Sequence, residues 1–402
     1  MTNRIQLGLT GDVMLGRAID RILPNSVNGK IYENCIKHSD RYVELAQKAN
    51  GNLPWHEIKE KGYEYIWGDV LDQLRSRSDC LIINLETALT TNEEYDSNKG
   101  INYRSHPRNV NALKIAGVSI VTLANDHILD WKKEGLKETI SSLKNAGISC
   151  TGAGLNLDQA IRPAAITVTL SDQTCLPDKT KVNVVVAACG FGSAGIPSNW
   201  AASTSKHGIN FIQEPNNEAV VSIRGQIDRL WQENLIDKDI KQIRVASLDW
   251  GPKWGFTPEK WRGFAHSLID AGFDAVVSHS SHHVKGIEVY KGKFIAYGLG
   301  DFINDLEGIV NQGYEKFRHD LCCLYLPAFD TRSGDLVQLD IIPCKIKHLK
   351  VQRATNMNDI EWIRQVFCRE GRSLKTSCVI ARDPNGDVNL RLQWDRKINA
   401  AF

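Results

Sequence analysis

Short apolar runs alternate with longer amphipathic stretches along most of the 402-residue chain. The runs are rich in Val and Ile and are bounded by Gly, Asn or Asp, a pattern typical of buried β-strands. Seven of these runs predict strands: IQLGL (5–9), CLIIN (80–84), VSIVTL (118–123), VNVVVAA (182–188), IRVASL (243–248), DAVVS (274–278) and KFIAYGL (293–299).

The stretches between these strands carry apolar residues at helical spacing. Leu136, Ile140 and Leu143 lie at i, i+4 and i+7, and Gly147 can end that helix. Similar stripes predict two more helices, over residues 220–230 and 261–269. The alternation of strands with helices predicts an α/β fold.

The C-terminal quarter of the chain follows a different pattern. Residues 320–352 predict an antiparallel strand pair, residues 359–370 a late helix, and residues 376–394 a β-hairpin around an Asn-Gly turn. We therefore predict one main domain over residues 1–352, with residues 353–402 as a helix-and-hairpin extension of the same domain.

Two segments, residues 20–65 and 190–215, show neither period and are predicted to be long irregular loops. The net charge of +2 offers no concentrated basic patch for nucleic acid and no attraction to an acidic membrane surface. No apolar run approaches the length of about 18 residues that a membrane helix needs. Ten scattered cysteines without a CxxC motif, and a start that lacks signal-peptide features, predict a cytoplasmic protein with free thiols. The oligomeric state stays open.

Six segments place a carboxylate, an amide or an imidazole at or just after the end of a strand. Because ligands bind at the carboxyl ends of parallel strands, we expect these side chains to share one site with a small-molecule or peptide substrate. They are Asp12, Glu86, the Asn125-Asp126-His127 run, Asp249, the histidines His279 and His282, and Asp301.

These residue types suit a metal site, because carboxylate oxygen and imidazole nitrogen together favour Mn, Fe or Zn. A cluster of this size could hold two ions about 3.5–4 Å apart. Glu86 would bridge them, and His127 is the candidate general acid. The predicted metal ligands are Asp12, Glu86, Asp126, Asp249, His279 and His282.

Three further residues are predicted to contact the substrate. Arg17 and Arg104 could meet an anionic group, although an exposed salt bridge is an equal alternative for each. Trp250 could form a cleft wall, and a core position is its alternative.

The ordered motifs also resemble the CapA family, which is named for bacterial capsule and poly-γ-glutamate synthesis. The resemblance extends over roughly residues 5–325. It implies a calcineurin-like metallophosphoesterase fold, with two packed mixed β-sheets flanked by helices in a four-layer αββα sandwich. The motifs are GDVMLGR (11–17), NLETALT (84–90), NYRSHP (102–107), LANDHILDW (123–131), TGAGLN (151–156), SLDWGPKWG (247–255) and SHSSHHVKGIEVYKGKFIAYGLGDFIND (278–305).

This sequence matches the superfamily at some ligand positions and carries a different residue at others. Met14 stands at a histidine position, Asp126 at an asparagine position, and Asp249 where CapA relatives usually show histidine. A thioether such as that of Met14 is a poor ligand for hard ions. One ion, two ions or none are therefore open. The matching positions are Asp12, Glu86 in place of a bridging Asp, and the closing pair His279 and His282.

Two functions of different class follow. The first is a metal-dependent hydrolase acting on a phosphoester, or on an amide or peptide related to polyglutamate or envelope metabolism. The second is a metal-independent acid/base enzyme, for example a peptide epimerase, using Asp12 and a histidine of 279–283, with His282 foremost. A non-catalytic accessory protein is a third reading.

Overall fold

A computed structural model describes residues 4–51, 54–170, 180–309, 313–383 and 385–395. All seven predicted strands form, although the last covers only Lys293–Ala296. The strands, numbered along the chain, are β1 (Arg4–Val13), β2 (Cys80–Leu85), β3 (Ala88–Leu89), β4 (Arg104–Ser105), β5 (Val118–Thr122), β6 (Ser149–Thr151), β7 (Ala153–Gly154), β8 (Ala164–Thr169), β9 (Lys181–Phe191), β10 (Gly208–Ile209), β11 (Phe211–Ile212), β12 (Lys241–Asp249), β13 (Ala275–His279), β14 (Ile287–Tyr290), β15 (Lys293–Ala296), β16 (Asp301–Ile303), β17 (Leu321–Asp330), β18 (Leu336–Ile346), β19 (Val351–Arg353), β20 (Thr376–Arg382) and β21 (Val388–Trp394).

The helices include all four predicted ones, as the sixth, eighth, ninth and tenth in the series below. Short 3-10 helices cover Gly62–Val70, Pro107–Asn109, Gly192–Ala194, Ser198–Trp200 and Glu315–Phe317. The α-helices are α1 (Arg17–Ile22), α2 (Asp40–Asn50), α3 (Trp55–Glu60), α4 (Leu71–Ser76), α5 (Val110–Ile115), α6 (Lys132–Asn145), α7 (Leu157–Ala160), α8 (Asn217–Gln232), α9 (Glu259–Asp270) and α10 (Met357–Leu374).

The segment 20–65 was predicted to be irregular, and that prediction is wrong. It contains α2 and α3 and the start of a 3-10 helix. The apolar stripe of α2 is narrow, with only Tyr42, Val43 and Ala46 buried, so the periodic signal in the sequence is weak. Tertiary packing, rather than a strong local pattern, stabilises such short helices. The segment 190–215 is largely irregular, as predicted, with two 3-10 helices and the two-residue strands β10 and β11.

Two large mixed sheets form the centre of the fold. The first has ten strands in the order β20-β21-β18-β17-β1-β2-β5-β6, with β16 also paired to β1 and β19 to β18. The second has seven strands in the order β11-β9-β12-β13-β15-β14, with β8 also paired to β9. Strands β1, β2, β5 and β6 are parallel in the first sheet, as are β9, β12, β13 and β15 in the second.

The two faces of β9 show how the layers stack. Successive side chains of a strand point to opposite faces, so a strand buried on both faces is a continuous apolar run. Val182, Val184 and Val186 enter the core between the two sheets, whereas Val185 and Ala187 belong to the core under α8 and α9. A third core lies between the other face of the first sheet and helices α1, α2 and α4 to α6. The predicted four-layer αββα sandwich is confirmed.

The C-terminal segment contributes to the sandwich itself. Strand β21 pairs with β18, and β20 extends the first sheet beyond it. Helix α10 buries Ile360, Ile363 and Phe367 in the core between the sheets. The domain boundary at residue 352 stays a prediction.

Two further expectations from the sequence concern membranes and thiols. Within the described ranges, no helix has both the length and the apolar character needed to cross a bilayer. Nine cysteines of the described chain are free thiols, and Cys175 lies outside the described residues.

Candidate functional site

Strand register brings the predicted site residues together at one end of the sandwich. In the first sheet, β1 lies between β2 and β16 and pairs Asp12 with both Asn84 and Asp301. In the second sheet, parallel β12 and β13 pair Asp249 with His279. The two sheets meet where Nδ1 of His279 lies 2.8 Å from Oδ1 of Asp12. The site therefore depends on both sheets.

Asp12 is buried and only half satisfied. Its Oδ1 accepts a hydrogen bond from the side-chain amide of Asn84 at 2.8 Å and contacts His279. Its Oδ2 is buried and receives no hydrogen bond, and the neighbouring Glu86 carboxyl could provide one only by carrying a proton. Burial and the nearby Asp301 carboxylate raise the pKa of Asp12 to about 7.

His279 is arranged as a neutral imidazole. Burial lowers its pKa to about 4. A proton on Nδ1 is directed at Asp12, which leaves the lone pair of Nε2 free to accept a ligand. This tautomer is the one that metal-binding histidines use.

His282 has the opposite character. Its Nδ1 lies 3.0 Å from Oδ1 of Asp301, whose Oδ2 accepts a hydrogen bond from Asn304 at 2.7 Å. Burial opposes the charge on the imidazole, but the Asp301 carboxylate outweighs it and raises the pKa of His282 to about 9. The contact with Asp301 suits an acid role for His282, and the predicted ligand role stays a prediction.

His127 is oriented by residues that the sequence interpretation missed. Its Nδ1 lies 2.7 Å from Asp130, which also accepts hydrogen bonds from Lys99 Nζ at 2.6 Å and from the Tyr103 backbone amide at 2.7 Å. The Tyr103 ring stacks on the imidazole with centroids 4.0 Å apart. Asp130 stands three residues after His127, and that spacing within NDHILD was the available signal.

The other ring nitrogen of His127 faces the acidic centre of the site. Its Nε2 lies 3.8 Å from both Glu86 Oε1 and Asp126 Oδ1. Burial and the Asp12 carboxyl raise the pKa of Glu86 to about 8. Burial also disfavours the Asp126 anion, but His127 and Lys253 outweigh it and hold the pKa of Asp126 below its usual range. The Lys253 ammonium lies 2.9 Å from Oδ2 of Asp126.

Asp249 is the least satisfied carboxyl group of the site. It is buried, and neither carboxyl oxygen has a hydrogen-bond partner. Burial, together with the nearby carboxyls of Asp126 and Asp12, raises its pKa well above the ordinary value. Burying an ionised carboxylate without a partner is very costly, so this group requires either a proton or a cation.

A cavity of about 290 Å³ opens onto part of this cluster. Asp12, Glu86 and His282 provide polar lining, and Trp254 and Ile303 are among its apolar walls. Its volume lies near the lower limit for small-molecule sites. The cavity suits a small substrate or one residue of a peptide.

Arg17 lines this cavity but is already neutralised. Asp305 accepts hydrogen bonds from its Nε and Nη2, and Glu33 lies 3.1 Å from Nη1. The guanidinium also lies over the Tyr42 ring, 3.8 Å from the centroid. Arg17 is thus a poor receptor for an additional anion.

The structure does not bring Arg104 and Trp250 into the cavity. The Arg104 guanidinium lies over Trp131, 4.0 Å from the ring centroid, and donates to the Asn92 carbonyl at 2.6 Å. Trp250 is buried and packs on Trp261, with ring centroids 5.0 Å apart. A residue can follow a strand end closely and still point into a core.

The donor set fits a divalent cation. Glu86, Asp126 and His127 offer ligand atoms that lie within 4.8 Å of one another. Asp12 and Asp249 are further buried carboxyls of the site, and His279 offers a neutral nitrogen. Oxygen and imidazole donors together suit Mn, Fe or Zn. Met14 lines the cavity, but its sulfur already accepts a hydrogen bond from the Gly16 amide at 3.0 Å.

Sequence comparisons agree with the motifs. A protein of Mycobacterium tuberculosis named "Probable polyglutamine synthesis accessory protein" is 38% identical over 90% of this chain and 90% of its own length. "Capsule biosynthesis protein CapA" of Bacillus anthracis is 23% identical over 89% of this chain and 71% of its own. "PGA biosynthesis protein CapA" of Bacillus subtilis is 25% identical over 89% and 77%, respectively.

A solved structure and a family model are also similar to this chain. A solved structure of the calcineurin-like phosphoesterase YfkN from Bacillus subtilis covers 93% of this chain and 99% of that one, with a TM-score of 0.41 and 13% identity. The family model described as "Bacterial capsule synthesis protein PGA_cap" matches residues 6–306. The chain therefore belongs to the PGA_cap family of bacterial capsule synthesis proteins.

Proposed function

We propose that this protein is a metal-dependent hydrolase whose site lies at the carboxyl ends of β1, β2, β5, β12 and β13. One observation carries the proposal: Asp12, Glu86 and Asp249 are buried, and Oδ2 of Asp12 and both oxygens of Asp249 have no hydrogen-bond partner. A bound Mn, Fe or Zn ion supplies Lewis acidity and lowers the pKa of water. His279, held by Asp12, adds a neutral nitrogen to the ligand set.

The remaining residues of the site handle protons. His127, oriented by Asp130, is the proposed general acid that protonates the leaving group. Glu86 lies 3.8 Å from its Nε2 and would hold the ion together with Asp12 and Asp249. His282 faces the cavity as a cation, where it can donate a hydrogen bond to an oxygen of the substrate.

The substrate class is proposed from both the site and the relatives. The relatives carry names that refer to capsule, PGA and polyglutamine synthesis. An amide or peptide of polyglutamate or envelope metabolism is therefore the proposed substrate, and a phosphoester is its competitor. The free thiols of buried Cys322 and Cys323 suit the proposed cytoplasmic location.

The test measures the metal content of the purified protein. Protein purified without added metal is reconstituted with Mn or Zn, dialysed and subjected to elemental analysis. We expect close to stoichiometric metal in the wild type and strongly reduced metal in Glu86→Gln. A matched control is Glu94→Gln, because Glu94 is an exposed glutamate that pairs with Lys132. A wild type that binds no metal after reconstitution refutes the proposal.

One specific observation favours a second candidate, the metal-independent acid/base enzyme. Asp12 and His282 both line the cavity, with pKa values of about 7 and about 9. Such a pair could remove and return a proton at a peptide α-carbon. Deuterium incorporation from heavy water into a peptide in the presence of EDTA, without hydrolysis, would identify this activity. If neither activity occurs, the accessory-protein reading gains support.

A further inference from the structure

The loop 251–255, called here the lysine loop, is bonded to the histidine segment 278–286. Strand β12 ends just before the loop, and β13 ends inside the histidine segment. Three hydrogen bonds join them: Lys285 Nζ to the Pro252 carbonyl at 2.8 Å, the His282 amide to the Lys253 carbonyl at 3.1 Å, and the Gly255 amide to Nε2 of His283 at 3.1 Å.

The side chains that make these contacts are buried and depend on them. Lys285 is only 2% exposed, so its ammonium needs the Pro252 carbonyl as an acceptor. The His283 ring stacks on Phe317, with centroids 4.6 Å apart, and its Nδ1 lies 3.1 Å from the Val284 carbonyl. A proton on Nδ1 makes Nε2 an acceptor for the loop. His283 and Lys285 therefore hold the loop rather than face the cavity.

The loop is also held from its other side. A Cβ atom on Gly251 would lie 2.1 Å from the Ser193 carbonyl oxygen, so the backbone of the loop packs directly against that residue. With its backbone fixed at both ends, the loop places the Lys253 ammonium 2.9 Å from Asp126 Oδ2. The Lys253 side chain is 34% exposed and enters the site from the solvent side.

The lysine bonds to one member of a residue group that could hold an ion, because Glu86, Asp126 and His127 offer ligand atoms within 4.8 Å of one another. Asp126 has one oxygen bonded to Lys253 and the other 3.8 Å from His127 Nε2. An ammonium and a divalent cation on the same carboxylate would repel each other strongly in a buried site. Asp301 is likewise paired with His282, so two carboxyl groups of the site already contact a cationic side chain of the protein.

We infer that the Lys253 ammonium takes the place of a second divalent cation, so that the site binds a single ion. This inference rests on the proposed metal-dependent function. Asp126, an aspartate where the superfamily motif has asparagine, and Lys253 then form a compensating pair, in which the added negative charge is balanced by the chain's own cation.

The test measures how many Mn ions the full-length protein binds. Equilibrium dialysis with elemental analysis gives the stoichiometry, and electron paramagnetic resonance separates an isolated Mn(II) from an exchange-coupled pair. We expect one uncoupled Mn per chain in the wild type and in Lys253→Arg. In Lys253→Met we expect two per chain with a coupled signal, and circular dichroism should confirm that this partly exposed position leaves the fold intact.

The possible failures are distinguishable. Two Mn ions in the wild type overturn the inference but leave the hydrolase proposal standing. A single Mn in both the wild type and Lys253→Met also overturns it, because the ammonium would then not be the excluding group. A wild type without Mn, tested also with Zn, overturns the proposed function itself.

Discussion

Two buried charge clusters lie side by side in this protein, and only one of them is closed. Around Arg17, every partner is satisfied: Asp305 binds the guanidinium through two oxygens, and Glu33 binds it at 3.1 Å while accepting a hydrogen bond from Tyr42. The Asp305 side chain also accepts a hydrogen bond from the Ala18 amide at 3.0 Å. The charges of this closed cluster are balanced within the cluster, so it does not need a ligand.

The neighbouring cluster at the strand ends is open. Asp12 Oδ2 and both oxygens of Asp249 are buried without hydrogen bonds. Both clusters border the same cavity, through Arg17 and Asp305 on one side and Asp12 on the other. An unpaired buried charge is costly. The closed cluster is fully paired and therefore needs no ligand, whereas the open cluster needs a proton or a bound cation. This difference indicates that the Arg17 cluster is structural and that the strand-end cluster is the candidate site.

The largest expected effect lies in the open cluster. Replacing His127 by Asn removes the proposed general acid, and we expect hydrolysis by the Mn-loaded protein to fall by roughly 10²–10⁴-fold. An activated phosphodiester with a nitrophenol leaving group should hide part of this loss, since it needs less protonation. Steady-state rates on activated and unactivated substrates measure it. His38→Asn, at an exposed histidine, is the control. An unchanged rate in His127→Asn would remove His127 from the mechanism.

The closed cluster should respond through stability instead. Asp305→Ala leaves Arg17 buried with one partner fewer, so we expect the free energy of unfolding to fall by about 3–5 kcal/mol. Urea unfolding of the metal-free protein measures this loss. The exposed pair Arg41–Glu44 gives the matched control, in which Glu44→Ala should cost about 0–1 kcal/mol. Equal costs at the two positions would contradict the comparison.

A pH series should separate the clusters without mutation. Asp12 and Glu86 have folded-state pKa values of about 7 and about 8, above their unfolded values. Protonation therefore favours the folded state, and its contribution is complete below about pH 4 and is lost as pH rises through 7 to 8. We expect the Tm of the metal-free protein to fall across that window and saturating Mn to reduce the fall. A Tm independent of pH in EDTA would show that these carboxyls are balanced in another way.

The smallest expected change in the metal-free protein is at Asp249. Asn has nearly the same shape as Asp but carries no charge, and neither oxygen of this buried carboxyl has a hydrogen-bond partner to lose, so Asp249→Asn should alter stability by no more than about 0.5 kcal/mol. The same variant should lower Mn affinity by at least about tenfold, because it removes a proposed ligand. Melting curves with and without Mn give both quantities. A variant that binds Mn as the wild type does excludes Asp249 from the ligand set.

Much of the fold could be predicted because its signals are local. The apolar runs of β9 and β12 are long enough to be buried on two faces. Gly147 follows the end of α6 as expected, and Gly272 does the same for α9, with φ values of 78° and 98°. Helix α2 was missed because its stripe is only three residues wide. Its stability comes from contacts with distant parts of the chain, which no local period reveals.

The site was predictable in composition but not in pairing. A polar residue stands at or just after the end of each of these predicted strands, so Asp12, Glu86 and His279 could be named from their positions in the sequence alone. Lys253 and Asp130 could not be assigned in that way, since a lysine in a loop and an aspartate near a histidine are common everywhere. Only the distances of 2.9 Å to Asp126 and 2.7 Å to His127 single them out.

The sequence by itself determined which strands form, that their ends carry acids and histidines, and which family the motifs resemble. Tertiary structure alone decided which charges are paired. Arg17 is neutralised by residues 16 and 288 positions away, whereas Asp249 is left without a hydrogen-bond partner. The reason is physical: periodicity and strand ends are local properties of the chain, but the pairing of a buried charge depends on which distant elements the fold brings within hydrogen-bonding distance.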